Sequence, residues 1–190
     1  MSALPNILTA LRLVAVPVMV ALFVADAGRD GAQRWGALVI FVAAAATDLL
    51  DGYLARRWKV VSSFGKLADP IADKVLALAA LGMLAVAHEL PWWPFIVLAV
   101  REVAVTLGRL AVASGTVIPA SKGGKAKTVL LNIAIGAFIL PVAQEWVDTA
   151  AWWVLIAALA VAVVSGADYG GRIARAARAQ RLAARADADA

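Results

Sequence analysis

The chain has 190 residues, 63% of them hydrophobic, and a formal net charge of +5. Soluble domains are usually about 45–50% apolar, so the excess points to several membrane-crossing segments of roughly 20 residues each. With no cysteine and a single histidine, disulfides, thiolate-bound metals and multi-histidine metal sites are excluded. In so apolar a chain the basic surplus reads as cytoplasmic loops, not nucleic-acid binding.

No Ser-, Gly- or Pro-rich linker divides the sequence, which predicts one domain over 1–190. Residues 1–11 are expected to form a short interfacial segment. They carry no sign of a cleavable signal. Six apolar segments follow, near 12–26, 36–57, 69–89, 92–114, 127–145 and 149–170. Each must be a helix, because an α-helix satisfies its own backbone polar groups in lipid. The predicted fold is therefore all-α, with six transmembrane helices. The loops near 27–35, 88–94 and 145–149 hold only Arg29 and Arg34 as cations. The opposite set holds Arg56, Arg57, Lys59, Lys66, Lys122, Lys125 and Lys127, and the tail over 172–190 adds Arg172, Arg175, Arg178, Arg181 and Arg185. That asymmetry places the second set and both termini in the cytoplasm. Trp35, Trp58, Trp92, Trp93, Trp146, Trp152 and Trp153 fall at segment boundaries, as an interfacial aromatic belt requires.

Charges inside spanning segments are costly and mark function by default. The second segment ends with Asp48 and Asp51, three residues apart, and the third begins with Asp69 and Asp73, four apart. Either spacing stacks two carboxylates on one helix face. A short connection makes the two helices antiparallel neighbours, so both pairs fall near the cytoplasmic end. Four carboxylates together repel strongly at low dielectric. An all-oxygen donor set that gathers them around one or two divalent cations, Mg²⁺ or Mn²⁺, removes that repulsion. Gly52 and Ala55 leave space for a base or pyrophosphate beside the helix, and Arg56 and Lys66 can balance phosphate charge. An N-cap role for Asp69 before Pro70 would explain one aspartate, not two spaced pairs.

The pattern Asp48-x-x-Asp51-Gly52-x-x-Ala55-Arg56, eight residues, Gly65-x-x-x-Asp69-x-x-x-Asp73 resembles the signature of the CDP-alcohol phosphotransferase family at every defined position. The likeness extends over most of the chain. It includes Pro5-Asn6-Ile7-Leu8-Thr9-Ala10-Leu11-Arg12, the stretch Arg101 to Arg109, and Lys122-Gly123-Gly124-Lys125-Ala126-Lys127-Thr128. Within the family it is similar to the bacterial phosphatidylglycerophosphate synthase branch. One departure is the order Thr106-Leu107-Gly108-Arg109, where that branch often has Thr-Gly-Leu-Arg.

The resemblance implies a six-helix membrane enzyme, commonly a homodimer, with a polar cavity open to the cytosol. It implies metal ligation by Asp48, Asp51, Asp69 and Asp73, with Asp73 also the general base. CDP-diacylglycerol would be held by Asp48, Asp51, Gly52, Ala55, Arg56, Gly65 and Lys66, with Asn6 and Thr9 beside it, and Arg12 in the same segment. The phosphatidyl group would pass to glycerol-3-phosphate by direct displacement. That acceptor is a phosphate dianion and needs a cationic pocket. Arg101 and Arg109, eight apart and so about 80° apart around an ideal helix, are expected to form it with Lys125 and Lys127, and with Lys122 nearby. Phosphatidylglycerol, inositol phosphate or serine are the alternative acceptors, and an uncharged acceptor would not need this cluster. A small cation transporter is the rival of another class, but it would show inverted repeats, and none is visible. Glu102 offers Arg101 an ion pair. His88 and Glu89 are expected to be solvated, and Asp168 to pair with a basic group.

Overall fold

The computed structural model describes residues 3–26, 31–58, 63–112, 122–142 and 144–188, with side chains at 10–26, 31–47, 74–108, 123–142, 144–175 and 178. Among these residues every regular element is a helix. In chain order they are α1 (Ala3–Asp26), α2 (Ala32–Trp58), α3 (Ser63–Val86), α4 (Trp93–Val112), α5 (Lys122–Ile139) and α6 (Glu145–Ala188). The expected all-α architecture is present, with two differences at the ends. α1 already begins at Ala3: Pro5 lies in the first turn, where backbone N–H groups have no intrahelical acceptor to lose. The segments expected as interfacial helix and first span are one helix. α6 runs for 44 residues, because its Ala- and Arg-rich end is made of strong helix formers. The basic tail thus prolongs the last helix.

α1 packs on α2 and α3, α6 packs on α5 and α4, and α3 and α5 join the two groups. Met19, Phe23, Phe41, Leu76, Leu84, Leu98, Leu131, Ile135 and Leu155 fill the centre, and Ala37, Ala80, Ala134 and Ala158 let the helices approach between them. The outer surface is apolar too. Val14, Val39, Ile96, Val100, Val103, Leu107, Ile133, Trp153 and Val164 are all exposed. Water-soluble domains rarely show so extensive an apolar surface, whereas a lipid environment favours it. Among the described residues, Glu145–Arg175 is long and apolar enough to cross a membrane, and Ala32–Thr47 and Lys74–Val86 are shorter apolar stretches. Trp35, Trp92, Trp93 and Trp146 are exposed near the starts of α2, α4 and α6, as an aromatic belt would have them. Trp92 meets Phe95 and Trp93 meets Trp152 edge to face, at 5.7 and 5.9 Å. The side chain of Trp58 lies outside the described residues.

The end of the bundle where α1 finishes and α2 begins is closed by Arg34, and here two expectations are corrected. Arg34 is a buried helix residue, not a loop cation, and Glu89 is its partner instead of a solvated side chain. The guanidinium donates to both Glu89 oxygens at 2.6 Å. It also donates to the carbonyls of Ile139 at 3.0 Å and Phe138 at 2.8 Å, and lies 4.7 Å over the Phe23 ring. The reason is local. The last carbonyls of α5 have no intrahelical donor, and a planar five-donor fork can serve them and a carboxylate together. His88, in the same connection, is exposed as expected and takes a left-handed backbone, φ 61°. Arg34→Ala would leave a carboxylate and two carbonyls unsatisfied. It should cost about 3–5 kcal/mol of stability, read as a lowered unfolding midpoint in detergent.

Candidate active site

The opposite end of the bundle receives the C-terminal part of α2 and the first turns of α3. α2 carries Asp48, Asp51, Gly52, Ala55 and Arg56, and α3 carries Gly65, Lys66, Asp69 and Asp73. Their side chains lie outside the described residues, as do those of Asn6 and Thr9 on α1, Arg109 on α4 and Lys122 on α5. Their helix register is informative. Asp48 follows Ala37, Phe41 and Ala44 at intervals of 11, 7 and 4 residues, and all three are buried. Asp73 precedes Leu76, Ala80 and Leu84 at intervals of 3, 7 and 11, and these are buried too. Such spacings keep to one face, so positions 48 and 73 share the register of the buried stripes of α2 and α3. Arg12, on the adjoining turns of α1, is 1% exposed.

The donor set available here is all oxygen. Cysteine is absent and His88 stands 15 residues beyond Asp73, roughly 20 Å along the helix axis and at the far end of the bundle. Carboxylates without nitrogen or sulfur suit a hard divalent cation such as Mg²⁺ or Mn²⁺.

One residue past Asp73 the described side chains resume, and they form a charge cluster. Glu102 of α4 is buried. Its Oε1 accepts from Lys127 of α5 at 2.6 Å and from Arg101 at 2.7 Å, and its Oε2 lies 3.5 Å from the Lys74 ammonium of α3. Lys74 also donates to Thr106, whose hydroxyl donates to the Glu102 carbonyl at 2.7 Å. α6 holds Arg101 from behind. The Ala162 carbonyl accepts from its Nε at 3.2 Å and Ser165 from its Nη2 at 3.4 Å. Gly166 leaves room for this approach, since a Cβ there would make a tight contact, 3.3 Å, with Arg101 Cγ.

The sequence-predicted acceptor residues therefore fare differently. Arg101 and Lys127 are brought together, through Glu102; the ion pair expected between Arg101 and Glu102 is part of the same arrangement. Lys125 is exposed on α5, near but outside the cluster. Lys74 was missed. Its signal was present, an ammonium inside an apolar stretch that must find a partner, but its nearness to the aspartate motif disguised it. Leu107 is exposed, while a Cβ on Gly108 would sit 2.5 Å from Ile173 Cδ1 of α6. Asp168 pairs with Arg172 at 3.0 Å, as expected, on the exposed side of α6.

Comparison with known proteins agrees with the motif. Residues 2–178 match the family model of CDP-alcohol phosphatidyltransferase. The chain is similar to a "probable phosphatidylglycerophosphate synthase" of Mycobacterium tuberculosis (strain H37Rv), 45% identical over 172 residues, covering 90% of this chain and 82% of the relative. It is also similar to a "CDP-diacylglycerol–glycerol-3-phosphate 3-phosphatidyltransferase" of Bacillus subtilis (strain 168), 38% identical over 183 residues, covering 87% of this chain and 92% of the relative. A protein of the latter description from Cereibacter sphaeroides is 38% identical over 150 residues, covering 77% of this chain and 67% of its own length. An all-helical bundle with an apolar exterior, the aspartate signature and a match over nearly the whole length agree: the chain belongs to the CDP-alcohol phosphatidyltransferase family.

Proposed function

We propose that the chain transfers the phosphatidyl group of CDP-diacylglycerol to glycerol-3-phosphate, giving phosphatidylglycerophosphate and CMP. It does so as a six-span homodimer in the bacterial cytoplasmic membrane, its polar cavity and both termini facing the cytosol. The names of the relatives support the reaction. One observation in the structure supports the acceptor: Lys74, one residue beyond Asp73, gathers with Arg101 and Lys127 about the single buried carboxylate of Glu102. Cationic side chains drawn from three helices suit a phosphate monoester dianion.

In this reading Asp48, Asp51, Asp69 and Asp73 hold one or two Mg²⁺ or Mn²⁺ ions. When bound, these supply positive charge to the pyrophosphate and to the departing CMP. Gly52 and Ala55 leave the nucleotide room, with Gly65, Asn6 and Thr9 beside it, and Arg56 and Lys66 balance its phosphates. Arg101 and Lys127, with Arg109, Lys122 and Lys125 towards the entrance, fix the acceptor phosphate so that its hydroxyl meets Asp73. Asp73 takes the hydroxyl proton as the new O–P bond forms at the β-phosphorus and the bond to the CMP oxygen breaks. Positioning supplies much of the rate, because a held acceptor reacts as if intramolecular.

The test is an acceptor panel. Purified protein with Mg²⁺ and cytidine-labelled CDP-diacylglycerol should release CMP with glycerol-3-phosphate, and not with serine, inositol phosphate or phosphatidylglycerol. Release with one of those and none with glycerol-3-phosphate would assign a different acceptor.

A further inference from the structure

We infer that Glu102 is the positioning residue of the acceptor site: its buried carboxylate draws Lys74, Arg101 and Lys127 from three helices into one cationic seat for a phosphate monoester. This rests on the acceptor reading above and deepens it.

A carboxylate that only satisfied a buried cation would need one partner. Glu102 has three, Lys127 at 2.6 Å, Arg101 at 2.7 Å and Lys74 at 3.5 Å, and its own side chain is 6% exposed. Three cations this close repel one another in a low-dielectric interior. Removing the central anion would drive them apart, towards water or other partners. Glu102 itself carries the wrong charge to touch a phosphate, so it acts through the cations.

The arrangement is also stiff. Arg101 is fixed against Ala162, Ser165 and the space left by Gly166. Thr106 links the Lys74 ammonium to the Glu102 backbone. A guanidinium has five N–H donors and an ammonium three. Arg101 spends three on protein and Lys127 one, which leaves donors for phosphate oxygens. Lys74 directly follows Asp73 on α3, so the same carboxylate that gathers the cations also sets them against the helix bearing the base.

The experiment compares wild type, Glu102→Gln and Glu102→Asp in steady-state CMP release, varying glycerol-3-phosphate and CDP-diacylglycerol separately. Competition by inorganic phosphate is measured alongside. Glu102→Gln should raise the KM for glycerol-3-phosphate by roughly ten- to a hundredfold, the loss expected for charged hydrogen bonds. It should weaken inhibition by phosphate in parallel and leave the KM for CDP-diacylglycerol within about twofold. Glu102→Asp keeps the charge on a shorter stem and should recover part of the acceptor affinity. A purely structural role would move both KM values together, or neither, and either result overturns the inference. If Glu102→Gln does not fold, Glu102→Asp carries the same comparison: equal KM changes for both substrates, or none, overturn the inference. A wild type that turns over only a phosphate-free acceptor would overturn the acceptor reading and this inference with it. A wild type that uses glycerol-3-phosphate, beside a Glu102→Gln variant of unchanged KM, overturns the inference alone.

Discussion

Asp73→Asn should lower turnover by about 10²- to 10⁴-fold, the range that removal of a general base produces, while CDP-diacylglycerol still binds. The substitution keeps the size of the side chain and one carbonyl oxygen, so the helix register and most of the local packing survive. What it removes is the capacity to accept a proton from the attacking hydroxyl. In the proposed mechanism that capacity belongs to Asp73. On α3 it keeps register with buried Leu76, Ala80 and Leu84, and its successor Lys74 joins the cationic cluster on Glu102. Lys74 of the proposed acceptor site and the proposed base are consecutive residues of that helix. CMP release under saturating substrates measures the effect, and protection of the protein against thermal unfolding by CDP-diacylglycerol reports binding. Turnover within about tenfold of wild type would mean that another group takes the proton.

Chelation of divalent cations should reduce activity to background, and Mg²⁺ or Mn²⁺ should restore it. The physical ground is the charge of the pooled aspartates. In the proposed site, four carboxylates on two adjoining helix ends would destabilise the folded state unless a cation lay among them. Stability should therefore respond as well as activity. A ligand that binds only the folded form adds about 2.7 kcal/mol at a hundred times its dissociation constant, so the unfolding midpoint should rise with Mg²⁺. In Asp48→Asn or Asp69→Asn the cation response should shrink, and the chelated variants should be no less stable than chelated wild type, because each has lost one repelling charge. A midpoint insensitive to Mg²⁺ in wild type would show that the carboxylates need no cation.

The helices were legible in the sequence because lipid leaves the backbone little choice, and the apolar runs announced them. Their ends were not. Nothing in the hydropathy of residues 1–11 shows that Pro5 is harmless in a first turn, or that the Ala and Arg tail continues α6 to Ala188. The aspartate motif stood out for a different reason, since the members of each pair, Asp48 and Asp51 or Asp69 and Asp73, lie about one helical turn apart and share a face by spacing alone; their side chains lie outside the described residues. The polar contacts between helices have no such spacing. Lys74, Glu102 and Lys127 are separated by 28 and 25 residues, and Arg34 and Glu89 by 55. Only packing brings them together. Sequence reading could say that each buried charge needs a partner; it paired Arg101 with its neighbour Glu102 and left Glu89 to water.

Binding of Mn²⁺ to the purified protein, followed by electron paramagnetic resonance, tests the proposed metal site most directly. The account predicts one or two Mn²⁺ ions per chain, a spectrum that changes when CDP-diacylglycerol is added, and loss of the bound signal in Asp48→Asn and Asp69→Asn. Full CMP release from protein that binds no Mn²⁺ and is indifferent to chelator would contradict it.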